Sequence, residues 1–181
     1  MIKYSKIIND ETGLCIVAQG DNTAKYEEMG FIQLDVDQSD VDLNWYLKEK
    51  CPHKSDEERL NEAKEDKYNE ALTKAKDFIE NNAVYQFNQF NSIEATDGNI
   101  GKMTAYALGF QTGTIENVSW TSKEDNVLNL NAQDVSRILT GLGEIQADVW
   151  NIEFVNYKNQ IANALSIEEV NKIVIDYKGE I

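Results

Sequence analysis

The chain is poor in most of the residues on which catalysis, export and nucleic-acid binding rely. Its 181 residues include one histidine, His53, and one proline, Pro52. A Ser-His-Asp or Cys-His relay needs an imidazole placed by the fold, so only His53 could serve. It stands beside Cys51 and Pro52, where the lone proline marks a boundary, and a junction role is the better reading. Cys15 and Cys51 are the only cysteines. Two thiols so far apart do not make a disulfide framework, and reduced thiols, as in a bacterial cytoplasm, are expected. With Cys15 as the only other soft ligand, Cys51 and His53 make a poor zinc set. No apolar stretch approaches the roughly 18 residues of a membrane span, and Met1 to Lys6 lacks the apolar run of a signal peptide. Basic residues are also scarce, 17 against 32 acidic ones, giving a formal net charge of −15. Such a surface repels phosphate backbones and anionic membranes, so neither nucleic acid nor membrane insertion is expected. It favours solubility.

The chain does carry enough apolar residues for a core, 41% hydrophobic, within one ordinary domain or two small ones. Residues 2–8 and 14–19 read as strands around a turn at Asp10 to Gly13. Residues 23–29 suit a short helix stopped by Gly30. Phe31 to Val36 alternates like a half-buried strand, and Trp45 to Leu47 suggests another. After Pro52, Ser55 and Glu58 form a capping box. Tyr68, Ala71, Leu72, Ala75, Phe78 and Ile79 then follow at helical spacing. Residues 55–81 therefore predict a stalk whose later half is packed. Beyond Asn82, residues 84–96 read as extended. A helix capped at Thr96 or Asp97 carries Ile100, Met103, Ala107 and Phe110, with Gly113 past its end. Val118 and Trp120 are expected to pair with Val127, Leu128 and Leu130 around a polar loop. Asn131 with Asp134 caps the strongest helix. Its stripe of Val135, Ile138, Leu142, Ile145, Val149 and Ile152 keeps heptad steps, weakened by Gly141 and Gly143, and then shifts toward Val155 and Ile161. Ser166 with Glu169 opens a last short helix bearing Val170, Ile173 and Val174. There is no internal repeat.

No motif for chemistry is complete in this sequence. Gly98 to Met103 is similar to a phosphate loop, but Thr96 and Met103 occupy positions that need glycine and a hydroxyl residue. Gly141 and Gly143 lack the later glycine of a dinucleotide fingerprint, Gln146 standing there, and sit inside a helix. Asp35, Asp37, Asp40 and Asp42 could hold a hard cation, yet Asp40 replaces the turn glycine and Tyr46 the terminal glutamate, so a solvated acidic loop is preferred. Trp45, Trp120 and Trp150 could line a sugar site, though core or interface is the commoner fate of tryptophan. No catalytic, cofactor or metal residue is assigned.

Two parts of the chain resemble known proteins. Ile7 to Gly13, Tyr26 to Phe31, Asp35 to Gln38, Trp45 to Leu47 and Cys51-Pro52 resemble the opening of small proteins encoded among tail genes of phages and prophages of Gram-positive bacteria. From about residue 83, Ile93 to Asp97, Trp120-Thr121, Val127 to Val135, Ile161 to Ala164 and Ile167 to Val170 resemble an uncharacterised domain family of phage tail-fibre and baseplate accessory proteins. The resemblance implies a setting and no mechanism: a virion tail, built in the bacterial host cytoplasm, with other tail or baseplate proteins as partners.

The expected fold is therefore α+β. It comprises a β-rich domain at residues 1–53, a connecting helix at 54–82, and a phage-tail-type domain at 83–181, helical with a β-hairpin. The expected role is structural and non-enzymatic, acting by assembly, against the alternatives of a tail-fibre assembly chaperone and a carbohydrate-binding module on the host wall. The heptad stripe from Val135 to Ile152 is expected to pack on the helices at 68–79 and 100–110 of the same chain; the sharper alternative is that it also packs on its counterparts in neighbouring subunits, as the assembly interface of a homotrimer.

Overall fold

The computed structural model describes residues 1–20 and 23–178. It is an α+β protein, with strands leading and helices prevailing later. The chain divides into two compact units, Met1–Arg59 and Leu60–Ile181.

The first unit is a small barrel. Strands β1 (Ile2–Asn9) and β2 (Leu14–Val17) form the expected hairpin. Asn9 closes its turn, because its side-chain oxygen accepts the backbone N–H groups of Glu11 and Thr12 at 3.0 and 3.1 Å, an Asx turn. Gly13 takes φ +73° there, a conformation that suits glycine. Helix α1 (Thr23–Glu28) is followed by Gly30 at φ +81°. Strand β3 (Ile32–Gln38) pairs with β1, and β4 (Trp45–Leu47) pairs with both β2 and β3. The order β1-β2-β4-β3 closes on itself, which leaves no open sheet edge. The barrel's interior is small: Cys15, Val36, Ser5 and Ser39 are its buried side chains.

Helix α2 (Asp56–Asn81) starts as the sequence predicts. Ser55 Oγ accepts Glu58 N–H at 3.2 Å, and Glu58 Oε2 accepts Ser55 N–H at 2.8 Å. Asp56, Glu57 and Glu58 place negative charge on the helix's positive end. Its later half buries Ala71, Ala75 and Ile79 against Val149, Ile161, Ile175 and Tyr177. From Leu60 onward, then, the helix belongs to the second unit.

In that unit, the segment expected to be simply extended folds into a hairpin, β5 (Val84–Asn88) with β6 (Asn91–Glu94). Asn88 makes the turn, its side-chain oxygen accepting Phe90 N–H at 2.9 Å. Helix α3 (Asp97–Gln111) is capped by Thr96 and ends before Gly113 at φ +72°. Strands β7 (Val118–Thr121) and β8 (Val127–Leu130) pair in register, Val118 with Leu130 and Trp120 with Leu128. Helix α4 (Ala132–Ala147) opens on the Asn131–Asp134 capping box. A π-turn at Asp148–Glu153 leads into α5 (Phe154–Asn163), and α6 (Ile167–Lys172) follows, capped by Ser166.

The π-turn explains where the stripe departs from expectation. Phe154 N–H bonds to Val149 O, five residues back. The wider turn alters the phase of the residues that follow. Val149 is fully buried, but Ile152 is 62% exposed. The buried face continues instead through Trp150, Phe154, Tyr157 and Ile161. Val155, expected on that face, points to solvent.

Gly141 is more than a weak point in α4. A Cβ there would stand 2.2 Å from Tyr85 Cε2, whereas one at Gly143 would meet nothing. Gly141→Ala should therefore destabilise the unit despite its better helix propensity, since displacing a packed ring costs about 1–3 kcal/mol. Gly143→Ala should stabilise it by about 0.5–1 kcal/mol. Paired urea denaturations measure both signs, and a stabilising Gly141→Ala would refute the contact.

Candidate functional site

The stripe singled out for assembly is interior. Val135, Ile138, Leu142 and Val149 are at 0% exposure and Ile145 at 4%. Within the same chain Val135 to Ile145 pack with Ile93, Met103 and Leu130, and Val149 with α2. These five side chains therefore pack in the core of their own chain, against residues of α2 and α3, which is the within-chain packing expected from the sequence. Gln146, on the flank of the stripe, is engaged as well: Nε2 donates to Ala95 O at 2.9 Å and to Asp97 Oδ1 at 2.8 Å.

The acidic loop of the first unit is engaged by cations and donors of its own unit. Asp35 lies 2.9 Å from the N-terminal ammonium and 3.6 Å from Lys48 Nζ. Asp40 lies 2.8 Å from Arg59 Nη2 and accepts Lys54 N–H at 2.8 Å. The Lys54 bond leads in holding its carboxyl below the usual range. Asp42 accepts the Tyr46 hydroxyl at 2.7 Å, which with Asn44 lowers its pKa to about 2. His53 stands 3.4 Å from Asp40 and 3.9 Å from Asp37. Among the described residues no group of three or more His, Cys, Asp or Glu side chains is arranged to hold a metal. Cys15 and Cys51 are free thiols, and burial pushes both upward in pKa.

The tryptophans take different places. Trp45 lies under the Lys3 ammonium, 4.1 Å from the ring centroid. Trp150 packs edge-on against Phe154 at 5.5 Å. Trp120 borders a cavity of about 320 Å³ in the second unit. Three elements build this cavity. β6 supplies Ile93 and Glu94; α3 supplies Asn99, Lys102 and Tyr106; β7 and its loop supply Ser119, Trp120, Thr121 and Lys123. Asn99, Lys102 and Tyr106 fall three and four residues apart, which puts them on one helix face. Tyr106 meets Trp120 edge-on, with centroids 6.2 Å apart and an angle of 87°. Lys102 Nζ lies 5.8 Å from the Trp120 centroid.

A polar network ties β6 to the loop after β7, two of the three elements that line the cavity. Ser92 donates its N–H, at 2.8 Å, and its hydroxyl to the two oxygens of Glu124. Lys123 N–H donates to Ser92 O at 3.0 Å. Asn91 Oδ1 accepts Ser122 Oγ at 3.2 Å and Asn126 Nδ2 at 2.9 Å. The bonds from Ser92, side chain first, hold the Glu124 carboxyl down to about 2. A folded pKa below the unfolded value gives stability that is present above about pH 4.3 and lost as pH falls toward the folded pKa. The stability difference between the wild type and Glu124→Gln should therefore be constant near pH 7 and shrink between pH 5 and pH 2. Urea denaturation across that range checks it, and a pH-independent difference would contradict it.

Ile93-Glu94 and Trp120-Thr121, two separate parts of the resemblance, meet at this cavity. Sequence reasoning singled out Trp120 but not Tyr106, Ser119 or Lys123, and met Lys102 and Asn99 only in the rejected phosphate loop. The readable signal was the polar spacing on α3, on a helix whose Met103 faces the core. This set of groups suits binding: an aromatic pair, two ammonium groups, one carboxylate and hydroxyls.

In comparisons with family models, curated proteins and solved structures, nothing matches the chain.

Proposed function

We propose that the chain is a structural component of a phage or phage-like tail, in a baseplate or tail fibre, acting by protein–protein assembly and not by catalysis. The support is the resemblance in sequence together with one observation: residues that carry it serve packing and capping. Ile93, Leu130 and Val135 are core, Asn131 and Asp134 cap α4, and Asp97 receives Gln146. The proposed partners are other tail or baseplate proteins and further copies of the chain, as in a homotrimer. Copies would meet through surfaces other than the buried stripe. The proposed location is the virion tail, after synthesis in the host cytoplasm. Mass spectrometry of purified particles should find the chain in stoichiometric amount. Its absence from particles, with capture of an unassembled fibre, would replace this reading with an assembly chaperone.

A second reading, a carbohydrate-binding module that touches the host wall, is favoured by the Trp120 cavity. Aromatic rings beside hydrogen-bonding groups are what an amphipathic sugar ring requires.

A further inference from the structure

The Trp120 cavity carries more than a generic sugar site. Its charged lining groups are Lys102, Lys123 and Glu94, a local excess of one positive charge on a chain of net charge −15. Acidic residues outnumber basic ones 32 to 17 in this sequence, yet two lysines border this one cavity. Their ammonium groups make no hydrogen bond or ion pair within the described residues, and the same holds for the hydroxyls of Thr121 and Tyr106 and the indole N–H of Trp120. Neither the indole N–H nor the Tyr106 hydroxyl is buried. Donors that the fold leaves open are available to a ligand. By contrast, the polar groups next to the lining are committed: Ser92 bonds to Glu124, and Asn91 to Ser122 and Asn126, which holds β6 against the loop after β7. A volume of about 320 Å³ lies at the small end of ligand sites, roughly 300–1,000 Å³, and suits one ring.

We propose that this cavity binds a saccharide ring bearing an anionic group, a carboxylate or a phosphate. The proposal rests on the second reading above and names its site and ligand. The apolar face of the ring lies against Trp120 and Tyr106. Its hydroxyls meet Thr121, Ser119 and the Glu94 carboxylate, and its anion meets Lys102 and Lys123. An ammonium is a compact point charge that takes either anion, so the lysines select charge and the aromatic pair selects the ring. The acidic surface elsewhere repels free anions, which makes the ring contact necessary for retention.

The test is titration of the full chain, observed at its indole N–H resonances. Glucuronate, glucose 6-phosphate, glucose and inorganic phosphate are the probes. Trp120→Phe assigns the Trp120 signal. Both acidic sugars should shift that signal saturably and leave those of Trp45 and Trp150 in place. Lys102→Gln and Lys123→Gln should each weaken the acidic sugars by about tenfold, as expected for a charge-assisted bond, and leave glucose unchanged. A shift with only one acidic sugar identifies which anion is taken. Equal affinity for glucose would overturn the anionic assignment and leave the carbohydrate reading standing. An equal response to inorganic phosphate alone would overturn the sugar assignment, and no response to any probe would overturn both. The tail reading is judged separately, on the particle composition.

Discussion

Leu142→Asp should abolish the cooperative unfolding of the second unit, while Leu142→Ala should cost about 2–5 kcal/mol, as large-to-small core substitutions do. Leu142 is fully buried among Ile93, Met103, Ile138 and Ile145. An aspartate there loses the apolar contacts and also buries a carboxylate with no counter-charge, an effective penalty of several kcal/mol. The sum is comparable with the whole stability of a domain, about 5–15 kcal/mol. Since the contacts lie within one chain, the stability lost in Leu142→Ala relative to the wild type should be the same at every protein concentration. A loss that changes with concentration would place Leu142 at a contact between subunits after all.

Removing residues 174–181 should be nearly as damaging, although the segment forms no helix or strand in its described part. Ile175 and Tyr177 are buried at 4% and 7% exposure in the cluster built on α2. Tyr177 donates its hydroxyl to Ala71 O at 3.0 Å, and burial pushes that hydroxyl's pKa upward. Tyr157 donates to Asp176 O at 2.8 Å and accepts Asp176 N–H at 3.0 Å. Lys74 Nζ donates to Ile175 O at 3.2 Å. Losing two buried side chains should cost about 5 kcal/mol or more. Tyr177→Phe, which removes only the hydroxyl, should cost about 1 kcal/mol. Thermal melts of both variants provide the measurement. A truncated chain that melts with the wild type would show that the segment does not hold the cluster.

These expectations bear on how the proposed assembly role would be exercised. The apolar stripe is spent on folding the second unit, so binding has to come from what the fold leaves open. The Trp120 cavity is one such place. Exposed apolar side chains such as Phe90, Ile152 and Leu165 at 72%, 62% and 83% mark further surface that the fold does not use.

The sequence by itself determined the local devices. The Ser55–Glu58 and Asn131–Asp134 boxes, the Thr96 and Ser166 caps, the stops at Gly30 and Gly113 and the pairing of β7 with β8 were all legible. Each joins groups within a few residues of one another or within one hairpin, so residue type and spacing suffice. The same periodicity showed that the Val135 stripe must be buried, but not against what. Tertiary structure decided that it lies within the chain, and the π-turn decided that Ile152 leaves it. Gly141 reads as a helix weakness until Tyr85 occupies the space of its missing Cβ. Tyr177 reads as an ordinary tail residue until its hydroxyl meets Ala71, 106 residues earlier. The cavity likewise needs β6, α3 and β7 brought together before Lys102, Tyr106 and Trp120 become neighbours. Helical or strand periodicity gives the phase of a side chain about its own axis, whereas a partner distant in sequence is chosen only when the whole unit packs.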